Sequence, residues 1–201
     1  MGAERAAHHP EGGPIGPLPD GLTALALAAR AGGQPEADRL WEAARQRLTR
    51  IGLALRVDPG EVPDLVQDVL LAAHGALGRF DPQAGSFEAW IAAILLRRAR
   101  NRRRAERRFA IFRGRYSGPA RAAARFPSVA EAVDARLTLE RLLESLTAVQ
   151  RRVVALYEIG ELPADEVAGI LGITAAGVRS IARDARQKLT RAAGGGGEVR
   201  R

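Results

Sequence analysis

Apolar residues along this chain recur every three or four positions, which is the spacing of one face of an α-helix. Sustained alternation of apolar and polar residues, the pattern of a half-buried strand, is nearly absent. The clearest helical stripe, with steps of four, four, three and four, consists of Leu40, Ala44, Leu48, Ile51 and Leu55. The pattern therefore predicts an all-α fold.

Glycine, proline and capping residues interrupt this periodicity and divide the helices into two sets. The first set is predicted over about 21–31, 35–56, 62–77 and 88–108, and the second over about 129–145, 148–159, 163–171 and 175–192. We therefore expect two small helical domains, residues 21–108 and 129–192. They would be joined by a flexible linker over 109–128, with disordered, Gly-rich tails at 1–20 and 193–201.

The positive charge of the chain is concentrated in its centre. The formal net charge is +8 and the sequence pI is about 11.2. Residues 97–125 hold twelve Arg and one acidic residue, whereas residues 131–171 hold eight acidic residues and four Arg. A chain this basic is typical of proteins with a polyanionic partner, either nucleic acid or an anionic membrane surface. The linker also interleaves Arg with aromatics, which suits single-stranded nucleic acid, although a solvated linker with anchoring aromatics explains it equally well.

Several classes of chemistry are disfavoured by the residue types present. The chain has no Cys, and its three His have no metal-ligand spacing, so neither a disulfide nor a metal site is expected. No apolar run is long enough to span a bilayer, which predicts a cytoplasmic protein without membrane insertion. No Ser has a neighbouring base, and the acidic residues have cap or surface spacing. A nuclease or recombinase needs an activated nucleophile or a carboxylate cluster that binds metal, and the sequence indicates neither. We therefore expect no cofactor and no catalysis.

Residues 163–188 have the pattern of a helix-turn-helix. Gly172 allows the left-handed conformation of a tight helix end, and Thr174 is a good cap for the next helix. Arg179 and Arg183, one turn apart on the polar face of that helix, can reach base edges or phosphates. Gly177 weakens the helix by about 1 kcal/mol. An ordinary helical hairpin with a solvated face is the alternative.

Two stretches of the chain resemble a known family. The strings LESLTAVQRRVVALYEIGELPADEVAGILGIT and VRSIARDARQKL are similar to region 4 of sigma factors of the extracytoplasmic-function (ECF) group. The string DLVQDVLLAAHGALGRFDPQAGSFEAWIAAIL resembles region 2 of the same group. The two matches come in the family's order and cover about 22–108 and 136–190, roughly 140 of the 201 residues. The resemblance implies a factor that carries RNA polymerase to promoter DNA.

The resemblance also implies three binding surfaces. A helix face that docks on the clamp helices of the polymerase β′ subunit contains Asp64, Leu65, Gln67 and Asp68. A loop and helix that bind the −10 element and hold its flipped base contain Phe80, Asp81, Gln83, Ser86, Phe87, Trp90, Arg97, Arg98, Asn101 and Arg102. A helix that reads the −35 element as duplex carries Thr174, Ala175, Ala176, Arg179, Ser180 and Arg183.

The residues themselves agree with two of these surfaces. Asp64 and Asp68 lie one turn apart, where they are free for a basic partner or form an energetically neutral exposed pair. They lie opposite the apolar stripe of the same helix, which consists of Leu65, Val66, Val69, Leu70, Ala73 and Leu77. The Gly- and Pro-containing loop 78–85 can expose backbone groups to a splayed base, or it is a plain connector. In the helix after the loop, the chain departs from the family's usual residues at Ala92, Arg97 and Asn101, so the −10 sequence that it reads does not follow from the resemblance. In the region 4 helix it departs at Gly177.

The implied partners are core RNA polymerase, through its β′ clamp helices and β flap, and promoter DNA. An anti-sigma factor is expected as well, and the free chain is expected to be a monomer. A stand-alone helix-turn-helix regulator that reads a palindrome is the main alternative, and a sigma-like decoy is another. The segment 64–90 favours the sigma interpretation over the regulator, because a stand-alone regulator does not need it.

Overall fold

The computed structural model describes residues 21–114 and 144–194. Within these two ranges every regular element is a helix, which confirms the predicted all-α class. The predictions for the tail 1–20, for residues 115–143 and for residues 195–201 lie outside the described residues. We call residues 21–114 the N-terminal helices and residues 144–194 the C-terminal helices.

The N-terminal helices pack around α2. They are α1 (Leu22–Arg30), α2 (Gln34–Ala54), α3 (Val62–Ala76) and α4 (Phe87–Gly114), with a short 3-10 turn at Leu77–Arg79. The predicted stripe of α2 is buried, and α1, α3 and α4 all contact this helix. Removing such a stripe from water supplies most of the driving force for this packing.

The starts of α1 and α4 are joined by reciprocal hydrogen bonds. The backbone N–H of Leu22 donates to the Glu88 carboxylate at 2.8 Å, and the Thr23 hydroxyl donates to the same carboxylate at 3.1 Å. In return, the backbone N–H of Phe87 donates to the Thr23 hydroxyl oxygen at 2.8 Å. The first N–H groups of a helix have no partner within the helix. Each helix therefore caps the other and fixes where α4 begins.

Helix α4 is longer than the sequence analysis predicted. It begins beside the predicted cap Ser86 but continues to Gly114, six residues into the segment predicted as linker. The intervening residues 109–113 contain neither Gly nor Pro, so nothing in the backbone stops the helix before Gly114. The prediction that the linker starts at residue 109 is wrong for residues 109–114.

The C-terminal helices are α5 (Ala148–Val153), α6 (Ala164–Leu171) and α7 (Ala175–Gly194). Thr147 and Gln150 form a reciprocal capping box at the start of α5. The helix predicted over 148–159 is present, but its second half, Val154–Ile159, is a wider π-helix. The helix predicted over 175–192 is α7, which continues two residues further and ends at Gly194.

The two sets of helices pack against each other. The π-helix contacts α2, α6 contacts α4, and buried residues from both sets form one continuous apolar cluster. Gly160 lies at this contact, where a Cβ atom would come within 3.1 Å of Ile51 Cδ1 and 2.7 Å of the Leu156 carbonyl oxygen. The sequence analysis predicted two helical domains but did not predict that they share an apolar interior.

Candidate nucleic-acid and partner interfaces

The exposed face of α3 carries acidic and apolar residues together. Asp64 and Gln67 are exposed, whereas Asp68 is half-buried and pairs with Arg102 of α4, so Asp68 is not free as the sequence analysis predicted. Leu65 is fully buried in the core, so it positions the helix and is not available to a partner. The sequence analysis missed Leu71, which is 62% exposed. Leu71 follows Gln67 by four residues and Asp68 by three, so all three lie on the same face of α3. Its absence from the apolar stripe of α3 was the signal that could have found it.

An aromatic cluster supports the loop between α3 and α4. The ring centroids of Phe80, Phe87 and Trp90 lie 5.4–5.5 Å from one another, and the cluster continues to Trp41 and His74. Phe80 and Phe87 are 4% and 0% exposed, whereas Trp90 is half-buried. Tilted and edge-on aromatic contacts of this kind stabilise a core. Phe80 and Phe87 were both predicted to contact DNA. Their side chains are instead buried in the aromatic cluster, where they support the loop.

The polar side of the loop is ordered by its own hydrogen bonds. The Asp81 carboxylate accepts from the backbone N–H of Gln83 at 2.9 Å, and the guanidinium of Arg30 donates to the Phe80 carbonyl oxygen at 2.9 Å. Asp81 and Gln83 are exposed. Ser86 caps α4, since its hydroxyl oxygen accepts from the Ala89 N–H at 3.1 Å. The loop thus presents a fixed polar rim on an apolar base.

Ser86 also contacts the C-terminal helices. Its backbone N–H donates to the carboxylate of Glu166 at 2.7 Å, and its hydroxyl donates to the same carboxylate at 2.8 Å. Glu166 lies in the first turn of α6, the first helix of the helix-turn-helix. This contact brings together the predicted −10 loop and the predicted −35 domain, which the sequence did not indicate.

The arginines of α4 have different surroundings. Arg97 and the neighbouring Asn101 are exposed, whereas Arg98 and Arg102 are half-buried. Arg102 forms an ion pair with Asp68 of α3 at 2.6 Å. Arg103 instead donates to the carbonyl oxygens of Leu55 and Arg56, at 2.5 and 3.0 Å, and so satisfies the end of α2. The basic cluster therefore combines structural contacts with charge that is free to meet an anion.

The helix-turn-helix is built as the sequence predicted. Gly172 has φ 70° at the end of α6, and the Thr174 hydroxyl oxygen accepts from the Gly177 N–H at 3.0 Å. Val178, Ala182 and Ala185 of α7 are buried, and Ile181 and Leu189 are half-buried. The outward face is exposed at Thr174, Ala176, Arg179, Ser180 and Arg183, with Ala175 half-buried.

The outward face of α7 continues as an open basic surface. Along the second half of the helix this surface consists of Arg183, Arg186, Gln187, Thr190 and Arg191. Arg186 is paired with Glu158 at 2.6 Å, so part of its charge is compensated. The exposed arginines extend the positive surface that begins at Arg179 along nearly the whole helix.

Arginines also gather where the two sets of helices meet. Burial lowers the pKa of Arg151, and the charges of Arg56 and Arg103 lower that pKa further, while Glu144 opposes them. Glu144 pairs with Arg56 at 2.9 Å. One carboxylate thus balances a local excess of positive charge at this end of the interface.

Among residues 21–114 and 144–194, no helix is both long and apolar enough to cross a membrane. In the same residues, no group of three or more His, Cys, Asp or Glu side chains could hold a metal ion.

Comparison with known protein families matches both halves of the chain. The family model for sigma-70 region 2 matches residues 40–109, and that for sigma-70 region 4 matches residues 136–189. The chain is 30% identical over 171 residues to RNA polymerase sigma factor NccH of Alcaligenes xylosoxydans xylosoxydans, which covers 83% of this chain and 91% of NccH. It is 31% identical over 150 residues to ECF RNA polymerase sigma factor SigK of Mycobacterium sp. strain JLS, covering 72% and 76% of the two chains.

Two solved structures resemble the fold. CnrH, solved in complex with the cytosolic domain of CnrY, superposes with a TM-score of 0.58 at 26% identity, covering 83% of this chain and 93% of CnrH. The sigma factor RpoE, solved with the anti-sigma factor NepR from Bartonella quintana, gives a TM-score of 0.63 at 21% identity, covering 83% and 99% of the two chains. The second likeness concerns the fold alone.

Proposed function

This chain belongs to the ECF group of sigma factors and acts in transcription initiation, and we propose how its surfaces divide that work. Sigma factors initiate transcription without catalysing a reaction themselves, so the function lies in binding and positioning. The observation that carries the proposal is the exposed face of α3, where Leu71 is 62% exposed beside Asp64 and Gln67. A stand-alone DNA-binding regulator does not need such a face.

The face of α3 binds core RNA polymerase, on the clamp helices of the β′ subunit. Asp64 and Asp68 offer negative charge to a basic partner surface, and Leu71 offers apolar area that is removed from water on docking. Asp64, Gln67 and Asp68 retain the roles implied by the family resemblance. Leu71 takes the place of the buried Leu65 as the apolar contact.

The loop 80–86 and the first half of α4 bind the −10 element as melted DNA. Asp81, Gln83 and Ser86 supply hydrogen-bonding groups for a base that has left the stack. Trp90 lies half-buried beside them and can contact such a base with its exposed edge. The positive residues of α4 that support phosphate contacts are Arg97, Arg98 and Arg102, with Asn101 among them.

Helix α7 reads the −35 element as duplex, through the major groove. The small residues Ala175 and Ala176 allow its start to approach the bases, and Arg179 and Arg183 supply the donors that recognise guanine edges or phosphates. Thr174 and Ser180 add neutral hydrogen-bonding groups at the same surface. The β flap of the polymerase holds these C-terminal helices at promoter spacing.

An anti-sigma factor regulates this chain. Its support is the likeness to CnrH, which was solved with the cytosolic domain of CnrY. The exposed acidic and apolar face of α3 and the basic face of α7 are the surfaces that such a partner would cover.

Capture of the purified chain by core RNA polymerase tests the proposed function. Native chain is expected to bind, and the triple variant Asp64→Ala/Gln67→Ala/Asp68→Ala is expected to lose most of the binding. The double variant Asp38→Ala/Glu42→Ala is the matched control, because it removes two exposed acidic residues, one turn apart, from α2. Absence of capture of the native chain at moderate salt would overturn the proposal.

A further inference from the structure

Helix α1 contacts both ends of the proposed −10 loop, residues 80–86. At the start of the loop, the guanidinium of Arg30 donates to the Phe80 carbonyl oxygen at 2.9 Å. At its end, the Thr23 hydroxyl oxygen accepts from the backbone N–H of Phe87 at 2.8 Å. Neither contact uses the polar side chains that the loop offers to a base. Helix α1 therefore anchors the loop without forming its recognition surface.

The two anchoring residues lie on one edge of α1. Thr23 and Arg30 are about two turns apart, so their side chains leave the same side of the helix. The neighbouring edge carries Leu22 and Ala26, which are buried. The buried edge fixes α1 on the core, and the anchoring edge fixes the loop on α1.

Helix α1 is itself held in place by the tight turn that leads into α2. Gly32 has φ 100°, a conformation that a side chain would strain. The backbone N–H of Gly33 donates to the Ala28 carbonyl oxygen at 3.1 Å, and α1 then packs along α2. The helix therefore has a fixed position from which it can hold the loop.

The hydrogen bonds within the loop are local. The Asp81 carboxylate accepts from the Gln83 N–H at 2.9 Å, and the Asp81 carbonyl oxygen accepts from the Ala84 N–H at 3.1 Å. Such bonds fix the shape of the loop but not its position relative to the helices. That position depends on the two ends, where the Phe80 and Phe87 rings are in contact, with centroids 5.4 Å apart. Ring contacts are weakly directional, so the hydrogen bonds from α1 are the contacts that orient the backbone there.

We propose that α1 positions the −10 loop for base recognition, with Thr23 and Arg30 as positioning residues that do not themselves contact DNA. The inference rests on the proposed function, in which this loop holds a base that has left the stack. A loop that is already ordered loses less conformational entropy on binding, so anchoring its ends raises the affinity for that base. Helix α1 lies before residue 40, where the match to sigma-70 region 2 begins.

Selection of promoter fragments by reconstituted holoenzyme tests the positioning role. The full chain, native or variant, is combined with core RNA polymerase and a duplex library randomised at both the −35 and the −10 element. Enrichment is the frequency of a base in the retained fragments divided by its frequency in the library. Thr23→Val removes the hydroxyl but keeps the shape of the side chain, and Arg30→Met removes the guanidinium donor.

Thr49→Val/Arg50→Met is the matched control, because it makes the same two changes on α2. The Thr49 hydroxyl donates to the Arg45 carbonyl oxygen within its own helix, and Arg50 is exposed. This control is expected to match the native chain at both promoter elements.

Thr23→Val/Arg30→Met is expected to lower the enrichment of −10 bases roughly ten-fold, because the loop must then be ordered on binding. Enrichment at the −35 element is expected to stay native, which shows that the variant folds and binds polymerase. Thr23→Ser/Arg30→Lys restores a hydroxyl and a donor and is expected to recover most of the −10 enrichment. Arg30 is exposed, so Arg30→Met alone is expected to fold and to show a smaller loss of the same kind. Native −10 enrichment in both the double variant and Arg30→Met would overturn the proposal.

The salt dependence of binding separates positioning from a direct contact between Arg30 and a phosphate. Loss of one phosphate contact changes the slope of log Kd against log salt concentration by about 0.7 for single-stranded DNA. The probe is a single strand with the −10 sequence that the native holoenzyme selects, and Arg30→Met holoenzyme is expected to keep the native slope. A slope that changes by the amount of one contact refutes the positioning role. A native holoenzyme that enriches no −10 base refutes the proposed function, whereas native −10 enrichment in the variants refutes this inference alone.

Discussion

The carboxylate of Asp68 on α3 accepts a hydrogen bond from the guanidinium of Arg102 on α4 at 2.6 Å. Asp68 belongs to the proposed polymerase-binding face and Arg102 to the proposed −10 surface, so a single ion pair connects the two. Their side chains are 46% and 32% exposed. Ion pairs this exposed contribute roughly 0–1 kcal/mol to stability. The pair therefore orients both side chains more than it holds the helices together.

Asp68→Asn is expected to weaken polymerase capture while leaving the fold intact. The variant loses a charge on the docking face, but the ion pair that it breaks is weak, so the melting temperature should fall by no more than about 4 °C. Capture by core polymerase and thermal unfolding are measured in parallel. Asp58→Asn, which makes the same charge change in the loop before α3, is expected to bind normally. A large drop in melting temperature would show that the pair is structural.

Leu71→Ala is expected to reduce capture by core polymerase without lowering stability. Leu71 is 62% exposed, so its truncation leaves no cavity and should change the free energy of unfolding by less than about 0.5 kcal/mol. Loss of an apolar contact at an interface weakens binding on the order of ten-fold. Leu53→Ala is the matched control, since Leu53 is 40% exposed on α2. Equal capture by both variants would remove Leu71 from the docking face.

Phe87→Ala is expected to destabilise the N-terminal helices. Phe87 is 0% exposed and its ring meets Phe80, Trp90 and Trp41. Truncation of a buried Phe costs about 3–5 kcal/mol. Chemical denaturation followed by circular dichroism measures the loss. A stable Phe87→Ala chain with impaired DNA binding would instead favour a direct contact between Phe87 and DNA.

Two glycines of the helix-turn-helix are expected to respond in opposite directions to alanine. Gly172 has φ 70°, where a Cβ atom is strained, so Gly172→Ala should destabilise by about 1–2 kcal/mol. Gly169 lies inside α6, and apart from the backbone of its own helix and its chain neighbours nothing lies within 4 Å of an added Cβ, so Gly169→Ala should stabilise by about 0.5–1 kcal/mol. The melting temperatures of the two variants, compared with that of the native chain, test both expectations. Equal effects would contradict a left-handed turn at Gly172.

The helices and their caps were predictable because the signals are local. The stripe of α2, the caps at Ser86 and Thr174, and the glycine at position 172 each depend on residues within about one or two turns. Boundaries were less certain: α4 runs on to Gly114 because only the absence of Gly and Pro marks its continuation. The three binding surfaces remain proposals, although the family to which they belong is established by both halves of the chain.

Burial removed two residues from the binding surfaces in which the sequence analysis had placed them. Leu65 and Phe87 were both predicted to touch a partner, yet both are 0% exposed, while the exposed Leu71 was not predicted. A residue's position in a motif indicates its neighbours along the chain. It does not indicate which of its faces another helix will cover, because coverage depends on how the apolar stripes of several helices fit together.

The sequence by itself determined the all-α class, the helix-turn-helix and the basic centre of the chain, because helical periodicity, capping and charge are properties of short segments. Only the tertiary structure brought Ser86 to Glu166, 80 residues away, and Arg102 to Asp68, 34 residues away. Such pairings depend on how whole helices pack against one another. That packing is stabilised by many individually weak contacts between residues far apart in the chain, so no short segment predicts it. The packing of one set of helices against the other belongs to that second level.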